Sequence, residues 1–157
     1  MSIRYQTVEL DRILLEAMRD AQHLATGQRL ALGSFEPMQL TGDADRLKQL
    51  LLILLDNALK YTPTDGQVTM SLCQHDARAV VEVRDTGVGI SLEALPHVFE
   101  RFYRADPARS QDPGGTGLGL AIARWIVEQH GGKIALESEP GQGTIVTVLL
   151  PRDASRS

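Results

Sequence analysis

The first clear pattern is a helical one. Leu10, Ile13, Leu14, Ala17, Met18, Ala21 and Leu24 recur three or four positions apart, with Asp11 near the start and Gly27 beyond the end. That spacing lines up one apolar face and predicts an amphipathic helix. Arg29–Leu32 and Met38–Leu40 read as short strands separated by the turn residues Gly33, Ser34 and Pro37. A second helix is expected from a cap at Asp43 or Asp45 to about Tyr61, where Pro63 and Gly66 stop it. Its apolar content is too high for a helix exposed on one side, which places it between a sheet and a cleft. Val68, Met70 and Leu72 alternate with Thr69, Ser71 and Cys73, and Val81 and Val83 with Glu82 and Arg84. These are two half-buried strands, joined as a hairpin through Gln74–Arg78. Beyond Asp85 the pattern predicts a glycine-rich loop and a short helical piece around Leu92–Phe102. Ala105–Gly115 has no apolar period and reads as a mobile loop. A third helix over about Leu118–His130 stops at Gly131 and Gly132. Ile134–Glu137 and Thr144–Leu150 form a closing strand pair around Gly141 and Gly143, leaving a short leader and a polar tail, Arg152–Ser157.

Composition narrows the class. The 157 residues, 43% of them apolar and 23% charged, fit one globular domain, 1–157. A net charge of −4 argues against broad adhesion to nucleic acid or anionic lipid, and 4% aromatics leave few stacking platforms for single strands. The single cysteine, Cys73, excludes an internal disulfide framework and suggests a reducing compartment. The longest apolar run, Leu50–Leu55, falls far short of the ~20 residues a membrane helix needs, and Met1–Gln6 carries no hydrophobic signal segment.

Three clusters carry candidate chemistry. Ile53, Asn57, Lys60 and Tyr61 share one face at the end of the second helix. An Asn oxygen beside a Lys ammonium suits a Mg²⁺-chelated phosphate chain, although a solvated helix end with Lys60 complementing the dipole accounts for the same residues. Asp85-Thr86-Gly87-Val88-Gly89-Ile90 puts a carboxylate at a strand end before a glycine pair. The carboxylate can accept from an exocyclic amine while glycine backbone approaches a flat ring; an ordinary Asp-Gly turn is the alternative. Gly115-Thr116-Gly117-Leu118-Gly119-Leu120 runs into the third helix, where free N–H groups can cradle phosphate, or where glycines merely allow close packing. No Lys-Ser or Lys-Thr follows, so this is not a Walker-type loop.

Taken in order, these clusters resemble the boxes of sensor histidine kinase catalytic domains, of the GHKL ATPase superfamily. Asp56–Pro63 resembles the N box, Asp85–Ile90 the G1 box, Phe99–Arg104 the F box, Gly115–Leu120 the G2 box and Gly141–Thr144 the last glycine turn, in family order, and the resemblance implies a domain core over about 5–151. The resemblance implies an α/β fold, a two-layer sandwich of a mixed, mostly antiparallel sheet against three helices. ATP would bind between the second helix and a mobile lid over about 100–117. Carried onto this chain, Asn57 would hold Mg²⁺, Lys60 and Arg104 would grip the phosphates and serve catalysis, and Tyr61 would flank the nucleotide. Asp85 would read the adenine amine, with Gly87, Gly89 and Ile90 forming its pocket and Thr144 a further contact. Gly115, Thr116, Gly117, Leu118, Gly119 and Leu120 would form the lid hinge and phosphate wall, with Arg101 and Arg109 adding positive charge.

The implied activity is delivery of the ATP γ-phosphate to a histidine on a separate dimerisation hairpin, with a response regulator downstream. The fragment would be a cytoplasmic monomer without nucleic-acid or membrane contact. Anchoring of its parent in the inner membrane is left open. His23, His75, His97 and His130 all lack the context of an acceptor, and His130 reads as a charged residue at a helix end. One position departs from the family pattern: Ile53 stands where a polar Asn is common, and where hydrolysing relatives such as gyrase carry a general-base Glu. An isoleucine neither activates water nor ligates Mg²⁺, which disfavours intrinsic hydrolysis and leaves transfer to another nucleophile open. A clamp ATPase or serine kinase on the same fold, and a non-enzymatic nucleotide module, are the competing readings.

Overall fold

The computed structural model describes residues 3–89 and 119–152. β1 (Gln6–Glu9) leads into α1 (Leu10–Ala21) and a 3-10 turn, Gln22–Leu24. Then come β2 (Arg29–Phe35), β3 (Gln39–Gly42), α2 (Ala44–Lys60), β4 (Gln67–His75) and β5 (Arg78–Asp85). After the undescribed stretch follow α3 (Gly119–Gln129), β6 (Lys133–Glu139) and β7 (Gly143–Pro151). The helical piece expected around 92–102 and the lid over 100–117 lie outside the described residues.

A five-stranded sheet has the order β2-β4-β5-β7-β6. Only β2 and β4 run parallel; the remaining pairs are antiparallel. Strand alternation sends Val68, Met70 and Leu72, Ala79, Val81 and Val83, and Val146, Val148 and Leu150 to one buried face. The helices cover that face with α2 in the middle, packed against both α1 and α3. Leu47, Leu50, Leu51, Leu54 and Leu55 are buried along α2, as expected for a helix with neighbours on most sides. Asp43 caps its start by accepting from Arg46 N–H at 3.1 Å. At its end the Thr62 hydroxyl donates to the Ala58 carbonyl at 2.7 Å, and the Gln28 amide donates to Leu59 O and Thr62 O at 3.0 and 2.9 Å. These bonds satisfy the last-turn carbonyls and stop the helix where Pro63 cannot extend it.

Four local features differ from the sequence reading. β1, with one buried residue, Val8, is too short for alternation to reveal; it exists because it pairs antiparallel with β3 as a separate two-stranded ribbon. β2 continues through Gly33 and Ser34 to Phe35, with a register shift after Leu32. A Cβ on Gly33 would lie 2.5 Å from Ser71 Oγ, so this glycine permits close strand approach instead of turning the chain. Arg152 is no free tail: its N–H donates to Ala77 O at 3.1 Å and its carbonyl accepts from Thr41 N–H at 2.9 Å. His130, expected to be charged, is buried, and its Nε2 accepts from Asp43 N–H at 3.1 Å, which requires that nitrogen to be unprotonated.

Candidate functional site

The site begins where β5 leaves the sheet. Asp85 pairs with Val68 on one side and Thr144 on the other, on the buried face beneath the helices. Gly87 N–H turns back to Asp85 Oδ1 at 2.8 Å, and Thr144 N–H reaches the same oxygen at 3.2 Å. Among the described residues nothing donates to Oδ2, so this oxygen keeps its acceptor capacity for a ligand. Burial pushes the Asp85 carboxyl above its ordinary value, and the two backbone N–H groups pull against that rise. A buried acceptor held in place from one side is suited to read an amine donor.

The loop after Asp85 is clamped between two elements. Val88 N–H donates to the carbonyl of Tyr61, the α2 C-cap, at 3.1 Å, and Gly141 N–H donates to Val88 O at 2.7 Å. Gly87 lies so close to that helix end that a Cβ would strike the Tyr61 carbonyl and sit 2.9 Å from Asp85 Oδ1. Gly89 takes a left-handed φ of 77°, which lets the loop turn away. Tyr61 and Val88, each 38% exposed, leave apolar surface beside the carboxylate.

Across from the loop, the last turns of α2 carry Asn57 and Lys60. Asn57 is half-buried and makes no side-chain hydrogen bond to a described residue. Lys60 Nζ pairs with Asp56 Oδ2 at 3.0 Å, one turn back on the same helix. A Cβ on Gly119 would lie 3.5 Å from Ile53 Cγ2, so Ile53 packs against the first turn of α3. Leu120 joins the same apolar margin.

The structure therefore joins Asp85, Gly87 and Thr144 by hydrogen bonds, attaches Tyr61 to them through its carbonyl, and sets Gly119 against Ile53. Ile90, Arg104, Gly115, Thr116, Gly117 and Leu118 lie outside the described residues, as do Arg101 and Arg109. Two contributors escaped sequence reasoning. Ser138 donates to Gly143 O at 3.0 Å and its hydroxyl meets that of Thr144 at 2.8 Å, which engages the side chain expected to face adenine. Gln28 closes the carboxyl end of α2. The strand register, Ser138 opposite Thr144, is the signal that would have found the first; nothing local marks the second. An open cleft of about 900 Å³ lies at the other end of β5, between Arg78, Gln74, Thr41 and Arg152.

Known proteins resemble this chain in sequence and in fold. The family model described as histidine kinase-, DNA gyrase B- and HSP90-like ATPase matches residues 42–154. The chain belongs to this family. It is 42% identical over 148 residues to the sensor histidine kinase YkoH of Bacillus subtilis, covering 94% of this chain and 32% of the relative. The phosphate regulon sensor protein PhoR of Pseudomonas aeruginosa is 37% identical over 142 residues, covering 89% of this chain and 32% of that protein. The chain thus spans about a third of the length of these relatives. A mycobacterial sensor histidine kinase, MprB, superposes with a TM-score of 0.83 at 29% identity, covering 94% of this chain and 97% of the other. The catalytic domain of histidine kinase ThkA shares the fold, with a TM-score of 0.84 at 23% identity over 98% and 99% of the two chains. The chain is an ATP-binding catalytic domain of the sensor histidine kinase type, and the two-layer sandwich is its fold. No described helix is long and apolar enough to cross a membrane.

Proposed function

We propose that this domain binds ATP with Mg²⁺ and transfers the γ-phosphoryl group to a histidine on a dimerisation hairpin outside this chain. The observation that carries the reading is Asp85: both described donors land on Oδ1, leaving Oδ2 for the adenine amine beside the close backbone of Gly87. Gly89 and Ile90 complete the adenine side. Asn57, with its amide uncommitted to any described residue, supplies the oxygen suited to Mg²⁺, and Lys60 on the next turn supplies charge for the phosphates. Tyr61 flanks the nucleotide. Thr144 acts through its N–H on Asp85, since its hydroxyl is engaged with Ser138. Arg104 and the Gly115–Leu120 stretch are assigned to the phosphates on their motifs. Bound Mg²⁺ would neutralise charge on the phosphate oxygens; the chain's own residues orient the nucleotide and keep its terminal phosphate in line with the acceptor.

The transfer breaks the bond from γ-phosphorus to the bridging oxygen, releases ADP, forms a phosphorus–nitrogen bond and frees the imidazole proton. A response regulator then takes the phosphoryl group. The domain works in the cytoplasm as a monomer apart from the hairpin. The test mixes this chain with the hairpin of its parent protein and radiolabelled ATP. Acid-labile, base-stable label on the hairpin is expected. Hydroxyl-linked phosphate there would replace the histidine reading with a serine-kinase one, and no label with bound ATP would leave a nucleotide-binding module.

A further inference from the structure

The ends of α2 and α3 that lie farthest from the candidate site meet in one buried polar joint. Arg4 N–H donates to Asp43 Oδ2 at 2.9 Å, while Asp43 Oδ1 caps α2. Asp43 N–H donates to His130 Nε2 at 3.1 Å, and His130 Nδ1 lies 2.8 Å from Ile126 O in the last turn of α3. With Nε2 accepting, Nδ1 carries the proton and donates to that carbonyl. The Tyr5 ring stands edge-on to His130, with centroids 5.8 Å apart at 69°, and the Tyr5 hydroxyl donates to the Gln129 carbonyl. Gly42 packs so closely that a Cβ there would lie 2.9 Å from His130 Cδ2. His130 is 2% and Asp43 8% exposed. Freeing Asp43 or His130 leaves the other buried and unsatisfied, so these two hold or release together, while Tyr5, 48% exposed, closes the joint from outside through its ring contact and its bond to Gln129.

Both helices run from this joint to the nucleotide residues, in opposite chain directions. α2 starts at the joint and ends at Asn57, Lys60 and Tyr61; α3 starts at Gly119, beside Ile53, and ends at the joint. The adenine carboxylate is held differently, by the sheet and the Thr144 amide. We propose that Tyr5, Asp43 and His130 are positioning residues that set α3 against α2 for the triphosphate, so that docking of the Arg4–Tyr5 strap and binding of phosphates are linked. The inference rests on the nucleotide reading above. A strap that pins the far end of a helix roughly 16 Å long steadies its near end. Linkage also runs both ways: bound triphosphate must tighten the strap by the factor by which the strap tightens triphosphate.

The test compares ATP and adenosine binding in the parent chain, Tyr5→Phe and Tyr5→Ala, with emission of Trp125, which lies on α3, as a second readout. Tyr5→Ala is expected to weaken ATP roughly fivefold or more, within the usual range of coupling, and to leave adenosine unchanged. Tyr5→Phe keeps the ring and should recover part of the loss. Equal weakening of both ligands, or no change in either while the parent binds both, overturns the linkage. The reciprocal measurement needs no variant. Exchange of the Arg4 and Asp43 amide hydrogens in the parent should slow on saturation with ATP and stay unchanged with adenosine; ATP binding without slowing overturns the inference. A parent that binds neither ligand overturns the nucleotide reading itself.

Discussion

The amide of Thr144 donates to Asp85 Oδ1 at 3.2 Å, so the start of β7 holds the one buried carboxylate at the end of β5. Because Gly87 N–H takes the same oxygen, Asp85 is oriented by two backbone donors that no side-chain change removes. Asp85→Asn should keep that anchor through its amide oxygen and turn the ligand-facing oxygen into a donor. A donor facing the adenine amine costs about 1–3 kcal/mol, or roughly 5- to 150-fold in affinity. Titration with ATP and GTP is expected to show the parent preferring ATP and the variant losing most of that preference. Equal loss for both nucleotides would place Asp85 outside the adenine contact.

The same carboxylate predicts a pH dependence. Burial raises its folded value above the ordinary 3.8, despite the Gly87 and Thr144 amides. Between 3.8 and the raised value the folded state holds the proton more tightly than the unfolded chain. Asp85 therefore favours folding most below 3.8, and that contribution is lost as pH rises through the folded value. Ligand binding has the opposite slope, since the adenine amine needs the ionised acceptor. ATP affinity should fall as pH drops toward 4, beginning above the range of an ordinary aspartate, and Asp85→Asn should flatten the profile there. Parallel profiles for parent and variant would rule Asp85 out as the titrating group.

Much of this was legible in the chain itself, for physical reasons that differ by element. α1, α2 and α3 each bury a stripe that repeats at 3.6 residues, and β4, β5 and β7 alternate cleanly between faces, so periodicity reports them directly. β1 buries only Val8 and owes its existence to a partner more than thirty positions away, which no local pattern encodes. Asp85 could be named from its place before two glycines. That both its backbone donors converge on Oδ1 depends on a strand register spanning 59 positions. His130 shows the limit most plainly: a histidine before two glycines reads as a charged residue at a helix end, and only the packing of the N-terminal strap and α2 buries it with Nε2 accepting from Asp43 N–H.

Gly87 makes a sharper test of the loop clamp. A methyl group there has no room beside the Tyr61 carbonyl, and the loop would have to withdraw from the α2 end to admit it. Gly87→Ala should cost about 1–3 kcal/mol of stability, typical of overpacking, and should also release the 3.1 Å bond from Val88 N–H to Tyr61 O. The expected readings are a lowered Tm and nucleotide affinity reduced beyond that of Asp85→Asn, because both walls of the adenine side move. A variant with parental Tm and affinity would mean that the loop has slack absent from the structure.

Ile53 bears on the choice between the proposed transfer and hydrolysis. Its methyl group sits at the contact with Gly119, where α2 meets the start of α3, and it offers neither a base for water nor a ligand for a metal. The chain alone should therefore release phosphate from ATP very slowly, even under conditions that support the proposed transfer to the hairpin. Ile53→Ala removes packing at a half-buried position and is expected to cost about 2 kcal/mol, the lower end for such truncations, without raising phosphate release. Ile53→Glu supplies the missing base at the price of a carboxylate against apolar neighbours, so it should lower Tm and raise steady phosphate release above that of Ile53→Ala. A coupled phosphate-release assay with parallel melting curves separates these effects. Rapid steady release by the parent would show that water is activated without a base at position 53, and would reverse the ranking of phosphoryl transfer over hydrolysis.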